Sequence, residues 1–245
     1  MSDFNLAGEI VIFDTETTGI DPETGDKIVE FGAIVVNNRK VTEEKLQLYF
    51  DPERDIPEET TDIHGIDNES IKELSNGMIF ADHAQGLWDF LQGRQWAAHN
   101  ASFDVGFLDA EFVQAGFGKI SDHMPPVFDT LKYAQQANPN QRNSLDALCK
   151  RFGIDLSERT DHGALLDSQL LADVFLLLTT VQTDLSLTDD KRVAKASNLL
   201  ENIVRVDGSG LNVLKASETE AIQHLEKINS IRQKSEKEVD WDYGP

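Results

Sequence analysis

The sequence predicts an α/β fold, a mixed five-stranded sheet flanked by helices, and three observations carry that reading. Three β-rich runs open the chain before any helical pattern begins. Helical and short extended segments then alternate, the pattern of a sheet whose later strands run largely parallel. At 245 residues the chain has room for one domain with a sizeable core plus a smaller appendage. Its 40% hydrophobic and 27% charged residues are ordinary for a globular protein. No apolar run reaches transmembrane length and no secretory signal is present, so a cytoplasmic location without membrane contact is expected. Cys149 is the single cysteine, which excludes an internal disulfide and any multi-cysteine zinc site.

Ile10 to Phe13 is an apolar run of the buried-strand kind, and it leads into Asp14-Thr15-Glu16-Thr17-Thr18-Gly19. Side chains alternate along a strand, so Ile10, Ile12, Asp14 and Glu16 share one face, with the carboxylates about 7 Å apart. Two acids at the exit of a buried strand repel each other and lose hydration unless a cation lies between them, and a divalent metal is the simplest candidate. A turn bearing two solvated acids explains the same residues equally well.

Ile28 to Val36 reads as a second strand and Lys45 to Phe50 as a third, with Asn37-Asn38 as a tight turn between them. Three antiparallel strands are the economical arrangement. Asp51 to Asp67, acidic and prolyl, reads as an ordered loop leading into a helix over Asn68 to Leu74. Within it His64 has the profile of a surface loop histidine. Ala84, Leu87, Trp88 and Leu91 fall at helical spacing, predicting an amphipathic helix over Ala81 to Leu91. Gln95 to His99 reads as a short strand, and Asn100-Ala101-Ser102 as the start of a helix over Phe103 to Ala115. Asp104 falls in the first turn of that helix, where the helix dipole favours an acid whatever the protein does. A strand over Val127 to Asp129, a helix over Leu131 to Gln136 and a break at Asn138-Pro139-Asn140 follow. A helix over Leu145 to Phe152, capped by Asn143 or Ser144 and ended by Gly153, completes this stretch.

The most informative segment is the helix predicted over Gly163 to Thr180. Leu171, Val174 and Leu178 follow Asp167 at i+4, i+7 and i+11, so this carboxylate lies on the face meant for the core. An unpaired buried carboxylate costs several kcal/mol, and Asp167 therefore needs a cation. A salt bridge would serve, but no lysine or arginine occurs between Thr160 and Thr180. His162 can reach the same site from the loop before the helix, a suitable place for a proton-transfer residue.

Four acids, Asp14, Glu16, Asp104 and Asp167, thus stand with His162 at element ends or on core faces. Oxygen ligands without competing sulfur suit magnesium or manganese. Two such ions about 4 Å apart can hold a phosphodiester, activate water and stabilise the leaving oxygen. His162 would take the proton from the attacking water, histidine being the residue type whose unperturbed pKa lies near neutrality. The net charge of −22 opposes polyanion binding: residues 1 to 187 carry 33 acids and 13 bases, residues 188 to 245 carry 11 and 9. A nucleic-acid substrate would need metal ions at the site and a partner to supply grip.

FDTETTG (13 to 19), HNASFDVGFL (99 to 108) and HGALLD (162 to 167) together resemble the three exonuclease motifs of the DEDD superfamily in its histidine subgroup. NSLDALCKRFGIDLSERTDHGALLDSQLLADV (143 to 174) is similar, almost residue for residue, to the family of proofreading epsilon subunits of bacterial DNA polymerase III. The resemblance covers about residues 8 to 187 well and implies a ribonuclease H-like domain with 3′–5′ exonuclease activity. It implies that Asp14, Glu16 and Asp167 bind two divalent ions, Mg2+ or Mn2+, that Asp104 completes the acidic set, and that His162 is the general base. It further implies that Glu59 and His64 contact the terminal nucleotide of a single-stranded or frayed DNA 3′ end. Phe103 and the backbone of Thr15 to Gly19 would support the strand end.

Beyond an exonuclease domain over 1–181, Gln182-Thr183-Asp184-Leu185-Ser186-Leu187 is similar to the short peptides by which bacterial replication proteins dock on the sliding clamp. Gln182, Leu185 and Leu187 would be its contacts; a helix-ending loop is the plain alternative. Residues 188–210, with Gly208-Ser209-Gly210, read as a flexible linker. In 211–245, Ser217 and Glu220 form a capping box opening a helix whose Ile222, Leu225, Ile228 and Ile231 make one apolar stripe. The resemblance implies that this segment binds the polymerase alpha subunit, with a further small core subunit as an additional candidate partner. Two rivals stand beside this reading. One is a free-standing nuclease trimming RNA or single-stranded DNA ends, which would need neither docking segment. The other is a binding subunit that mainly holds polymerase and clamp together.

Overall fold

The computed structural model describes residues 4–157 and 162–185, with side chains as far as Thr180. These residues belong to one compact unit, 1–189. Five strands form one sheet: β1 (Glu9–Thr17), β2 (Ile28–Asn37), β3 (Lys40–Tyr49), β4 (Gln95–Ala98) and β5 (Phe128–Asp129). Their order is β3-β2-β1-β4-β5, with β1, β2 and β3 antiparallel and β4 and β5 parallel to β1. This is the predicted mixed five-stranded sheet.

The alternation along β1 divides the core in two. Val11 and Phe13 face a cluster with Leu87, Trp96, Phe107 and Phe112, contributed by α3 (Phe80–Leu91), β4 and α4 (Ser102–Gln114). Ile10 and Ile12 face the opposite layer, where Leu171, Val174, Phe175 and Leu178 of α7 (Ala164–Leu185) pack. A strand buried on both faces must be apolar on both, and Ile10 to Phe13 are all fully buried. Asp14 and Glu16 continue the α7 face, and Thr15 continues the α4 face.

Several boundaries differ from expectation. β1 runs on to Thr17, so both acids sit within the strand rather than in a turn after it. The hairpin turn is Asn38-Arg39, both at positive φ (48° and 60°), and β3 starts at Lys40. Arg39 then reaches across, its guanidinium donating to Leu176 O at 2.7 Å and Thr179 Oγ1 at 3.0 Å. The segment read as a loop contains a helix, α1 (Glu58–His64), begun after Pro57 and ended by Gly65 in the left-handed region at φ 73°. The Thr60-Thr61 pair lowers its intrinsic helix propensity, and packing of the segment wins. Helix α2 (Ser70–Leu74) is shorter than expected. α5 (Thr130–Ala137) and α6 (Leu145–Phe152) match closely, the latter capped by Ser144. α4 begins without a side-chain cap, from Ala101. α7 continues through Leu185, so the backbone of Gln182 and Leu185 is helical where a peptide following the helix was expected. Leu187, the linker 188–210 and the segment 211–245 lie outside the described residues.

Candidate active site

Three elements end at one place. The antiparallel register sets Asp14 opposite Gly32, Thr15 opposite Phe31 and Glu16 opposite Glu30. Residues directly opposite on antiparallel strands share a face, so Glu16 and Glu30 both point toward α7. Gly32, with no side chain, leaves the space in which the first turn of α7 lies: a Cβ built there would stand 2.1 Å from Leu165 N and 2.2 Å from the Ala164 carbonyl carbon. That close approach brings Asp167, one turn into α7 and 3% exposed, against the acids of β1.

Glu16, Asp167 and His162 each offer a ligand atom, and the three atoms all lie within 4.8 Å of one another. The His162 side chain, half-exposed, sets Nδ1 3.3 Å from Asp167 Oδ2. The His162 backbone N–H donates to Ile63 O of α1 at 3.1 Å, tying this residue to that helix. Asp104 enters from the other side of the sheet, on the first turn of α4 and 2% exposed. Thr15, on the α4 face of β1, donates from Oγ1 to Asp104 Oδ1 at 2.8 Å. The Asp104 carboxyl is pushed up to about 7 by burial, which outweighs the hydrogen bonds that favour its charged form. Asp14 is raised well above the carboxylate range by burial and then by the charges of Asp104, Glu16, Asp167 and Glu30. Such a cluster of mutually repelling carboxylates is the donor set a hard divalent cation satisfies. The residues present fit a metal centre.

The remaining predicted positions divide. His64 ends α1 and is buried rather than exposed at the surface. Its Nδ1 accepts from Ile66 N at 3.1 Å, which makes Nε2 the protonated nitrogen of the neutral ring. Burial holds its pKa below the usual value, the Thr17 carbonyl favours its charge, and the His162 charge opposes it. Nε2 is buried and makes no close hydrogen bond, the Thr17 carbonyl acting on it only at longer range. Glu59 is exposed in the first turn of α1. Phe103 is half-buried, its ring centroid 4.9 Å from that of Phe107.

Sequence reasoning missed Glu30. It is 2% exposed and accepts from Ala164 N, the first residue of α7, at 3.1 Å and from Gln47 Nε2 at 2.8 Å. The signal was available: Glu30 is the lone charge in the otherwise apolar run Ile28 to Val36.

The sequence model of a family described as Exonuclease matches residues 11–175. The chain is 37% identical over 243 residues to the DNA polymerase III subunit epsilon of Haemophilus influenzae, covering 95% of this chain and 94% of that protein. It is 36% identical over 232 residues to the subunit of the same name from Escherichia coli K12, covering 91% and 93%.

The chain belongs to the exonuclease family, among the epsilon subunits of DNA polymerase III.

It is a 3′–5′ exonuclease of the proofreading type, a hydrolase that uses divalent metal. Solved structures agree on the fold. The nuclease domain of 3′hExo, a DEDDh family member bound to rAMP, superposes with a TM-score of 0.60 at 18% identity, covering 72% of this chain and 94% of that one. E. coli Exonuclease I in complex with a dT13 oligonucleotide gives 0.62 at 21% identity, covering 73% and 42%. Among the described residues, no helix of this exonuclease is long and apolar enough to cross a membrane.

Proposed function

We propose that this exonuclease removes mispaired 3′-terminal nucleotides as 5′-monophosphates, with Asp14, Glu16, Asp167 and Asp104 holding two Mg2+ or Mn2+ ions. The observation that carries the reading is the convergence of Glu16, His162 and Asp167 within 4.8 Å, beside an Asp14 that burial first, and then the charges of Asp104, Glu16, Asp167 and Glu30, make costly to ionise. When bound, the ions supply charge to a phosphodiester and lower the pKa of water. The chain's own residues do the rest. His162, half-exposed on the approach to α7, is placed to accept the proton of the attacking water and to pass it to solvent. Asp167 orients that ring through Nδ1, as a carboxylate beside a catalytic histidine does. Thr15 fixes Asp104 in one rotamer by its hydroxyl.

His64, buried at the end of α1 with Nε2 as its protonated nitrogen, is suited to donate to an oxygen of the terminal nucleotide. Glu59 on α1 and Phe103 on α4 line the approach for the same strand end, together with the Thr15 to Gly19 backbone. Selectivity for mispairs comes from the substrate, because a mismatched end frays at lower cost than a paired one. The relatives named as polymerase III subunits support assembly with a DNA polymerase; in this reading 211–245 binds the alpha subunit, Gln182, Leu185 and Leu187 dock on the sliding clamp, and a further small core subunit is an additional partner. Tethering of this kind offsets a net charge of −22 that disfavours DNA.

The test is degradation of a 3′-labelled primer–template, matched and mismatched, by the full chain with magnesium, manganese or EDTA. Metal-dependent release of 5′-monophosphates, faster from the mismatch, is the expected result. A folded protein that releases none with either metal would overturn the proposal.

A further inference from the structure

We infer that Glu30 is a positioning residue for hydrolysis: it holds the N-terminus of α7, and so the placement of His162 and Asp167, without itself binding an ion. The inference rests on the exonuclease reading above and extends it to a residue outside the DEDD motifs.

The first turn of a helix has backbone N–H groups without intrahelical partners, and a carboxylate there satisfies one of them and complements the helix dipole. Gly163, the residue immediately before α7, carries no side chain that could fill this role. Glu30 reaches from the middle of β2 instead, Oε2 accepting from Ala164 N at 3.1 Å. Two residues along β2, Gly32 O lies 2.8 Å from Ser168 Oγ, whose single proton serves either that carbonyl or Ala164 O at 2.7 Å. Asp167 N–H closes the first helical bond to Gly163 O at 2.8 Å. The turn that carries Asp167 and follows His162 is therefore seated on β2 at Glu30 and Gly32. On the loop side, His162 N–H is tied to Ile63 O.

Glu30 is itself held from the edge strand. Its Oε1 accepts from Gln47 Nε2 at 2.8 Å, and Gln47 Nε2 also lies 2.8 Å from the Tyr49 hydroxyl. Tyr49, register partner of Glu30 and hydrogen-bonded to it, is pushed up to about 12 by burial and then by the Glu30 charge. With both carboxylate oxygens engaged by protein donors, Glu30 is locked in one geometry and turned away from the role of a ligand, although it stands opposite Glu16 in the sheet. A site built on rigid elements needs such support, because a misplacement of about 1 Å costs about 100-fold in rate.

The experiment compares the full chain with Glu30→Gln, Glu30→Ala and the double variant Gln47→Leu/Tyr49→Phe. The readouts are kcat and KM on a 3′-labelled single-stranded oligonucleotide with Mn2+, Mn2+ affinity by titration calorimetry, and circular dichroism. Glu30→Ala is expected to lower kcat by about 10- to 100-fold with KM changed by less than about 3-fold. Glu30→Gln keeps an acceptor for Ala164 N–H and is expected to stay within about 5-fold of the unsubstituted chain in kcat and Mn2+ affinity. The double variant, which frees Glu30 without touching α7, lowers kcat in the same direction and keeps the inference testable should Glu30→Ala not fold. Full activity in Glu30→Ala or in the double variant would overturn it. Equal failure of folded Glu30→Gln and Glu30→Ala, with Mn2+ binding lost in both, would make Glu30 a ligand instead. Inactivity of the unsubstituted chain tells against the exonuclease reading and is distinguishable from all of these.

Discussion

Gly32→Ala adds one methyl group at the point where β2 meets the first turn of α7. The new Cβ would stand 2.1 Å from Leu165 N, 2.2 Å from the Ala164 carbonyl carbon and 2.5 Å from Ala164 O. All three are backbone atoms, so no side-chain rotation relieves the overlap. Ordinary contact for such atoms is about 3.5 Å, so the helix end and the strand must part by about 1 to 1.5 Å. Overpacking of this kind destabilises by about 1–3 kcal/mol. The functional cost is larger, because the same displacement carries Asp167 and His162 away from Asp14 and Glu16, and about 100-fold in kcat is expected. Steady-state hydrolysis of a 3′-labelled oligonucleotide, paired with urea denaturation, measures both. Gly86→Ala on α3 is the control: its Cβ would have nothing within 4 Å, and the change should stabilise by about 0.5–1 kcal/mol with kcat unaltered. Native kcat and stability in Gly32→Ala would refute the claim that a bare β2 backbone at this position seats the catalytic helix.

Asp167→Ala should abolish hydrolysis while leaving thermal stability unchanged or slightly raised, since it removes repulsion on Asp14 along with a ligand; extensive unfolding by circular dichroism would count against the metal-centre reading. In metal-free protein, Asp104, whose folded pKa is raised to about 7 from 3.8, contributes stability below about pH 4 that is lost as pH rises toward 7. Scanning fluorimetry in EDTA should show its contribution as a falling midpoint across that window, absent in Asp104→Asn, with Mn2+ restoring most stability above pH 7. An unchanged slope in Asp104→Asn would contradict the assignment. Lys27→Met should cost about 2–3 kcal/mol, because the Glu111 carboxylate, 5% exposed and paired with Lys27 Nζ at 3.1 Å, would be left buried with only the Ile28 N–H. Urea denaturation reads this directly, and a loss below about 0.5 kcal/mol would show that water replaces the lysine.

Much of the site was legible in sequence because local periodicity alone assigns faces. A period of two places Asp14 and Glu16 on one side of β1, and a period of 3.6 places Asp167 on the buried side of α7. Such reasoning says which way a side chain points along its own element. What it meets depends on elements far off in the chain. His64 read as a loop residue because the burial that surrounds it, including His162 held on Ile63 O, comes from residues about 100 positions away, and because sequence reasoning missed the Pro57 and Gly65 signals of a short helix. Glu30 looked like one acid in a strand, since its partners Ala164 and Gln47 lie 134 and 17 residues away.

The sequence by itself determined the chemistry: the acids, the histidine, their order, and the faces from which they project. The tertiary structure decided the convergence. Glycine at 32 lets a helix end approach a strand, Glu30 caps that end from a different element, and Thr15 holds Asp104 across the α4 face of β1. These are contacts between segments remote in sequence, and their geometry is set by how the layers pack rather than by the conformational preference of any one stretch.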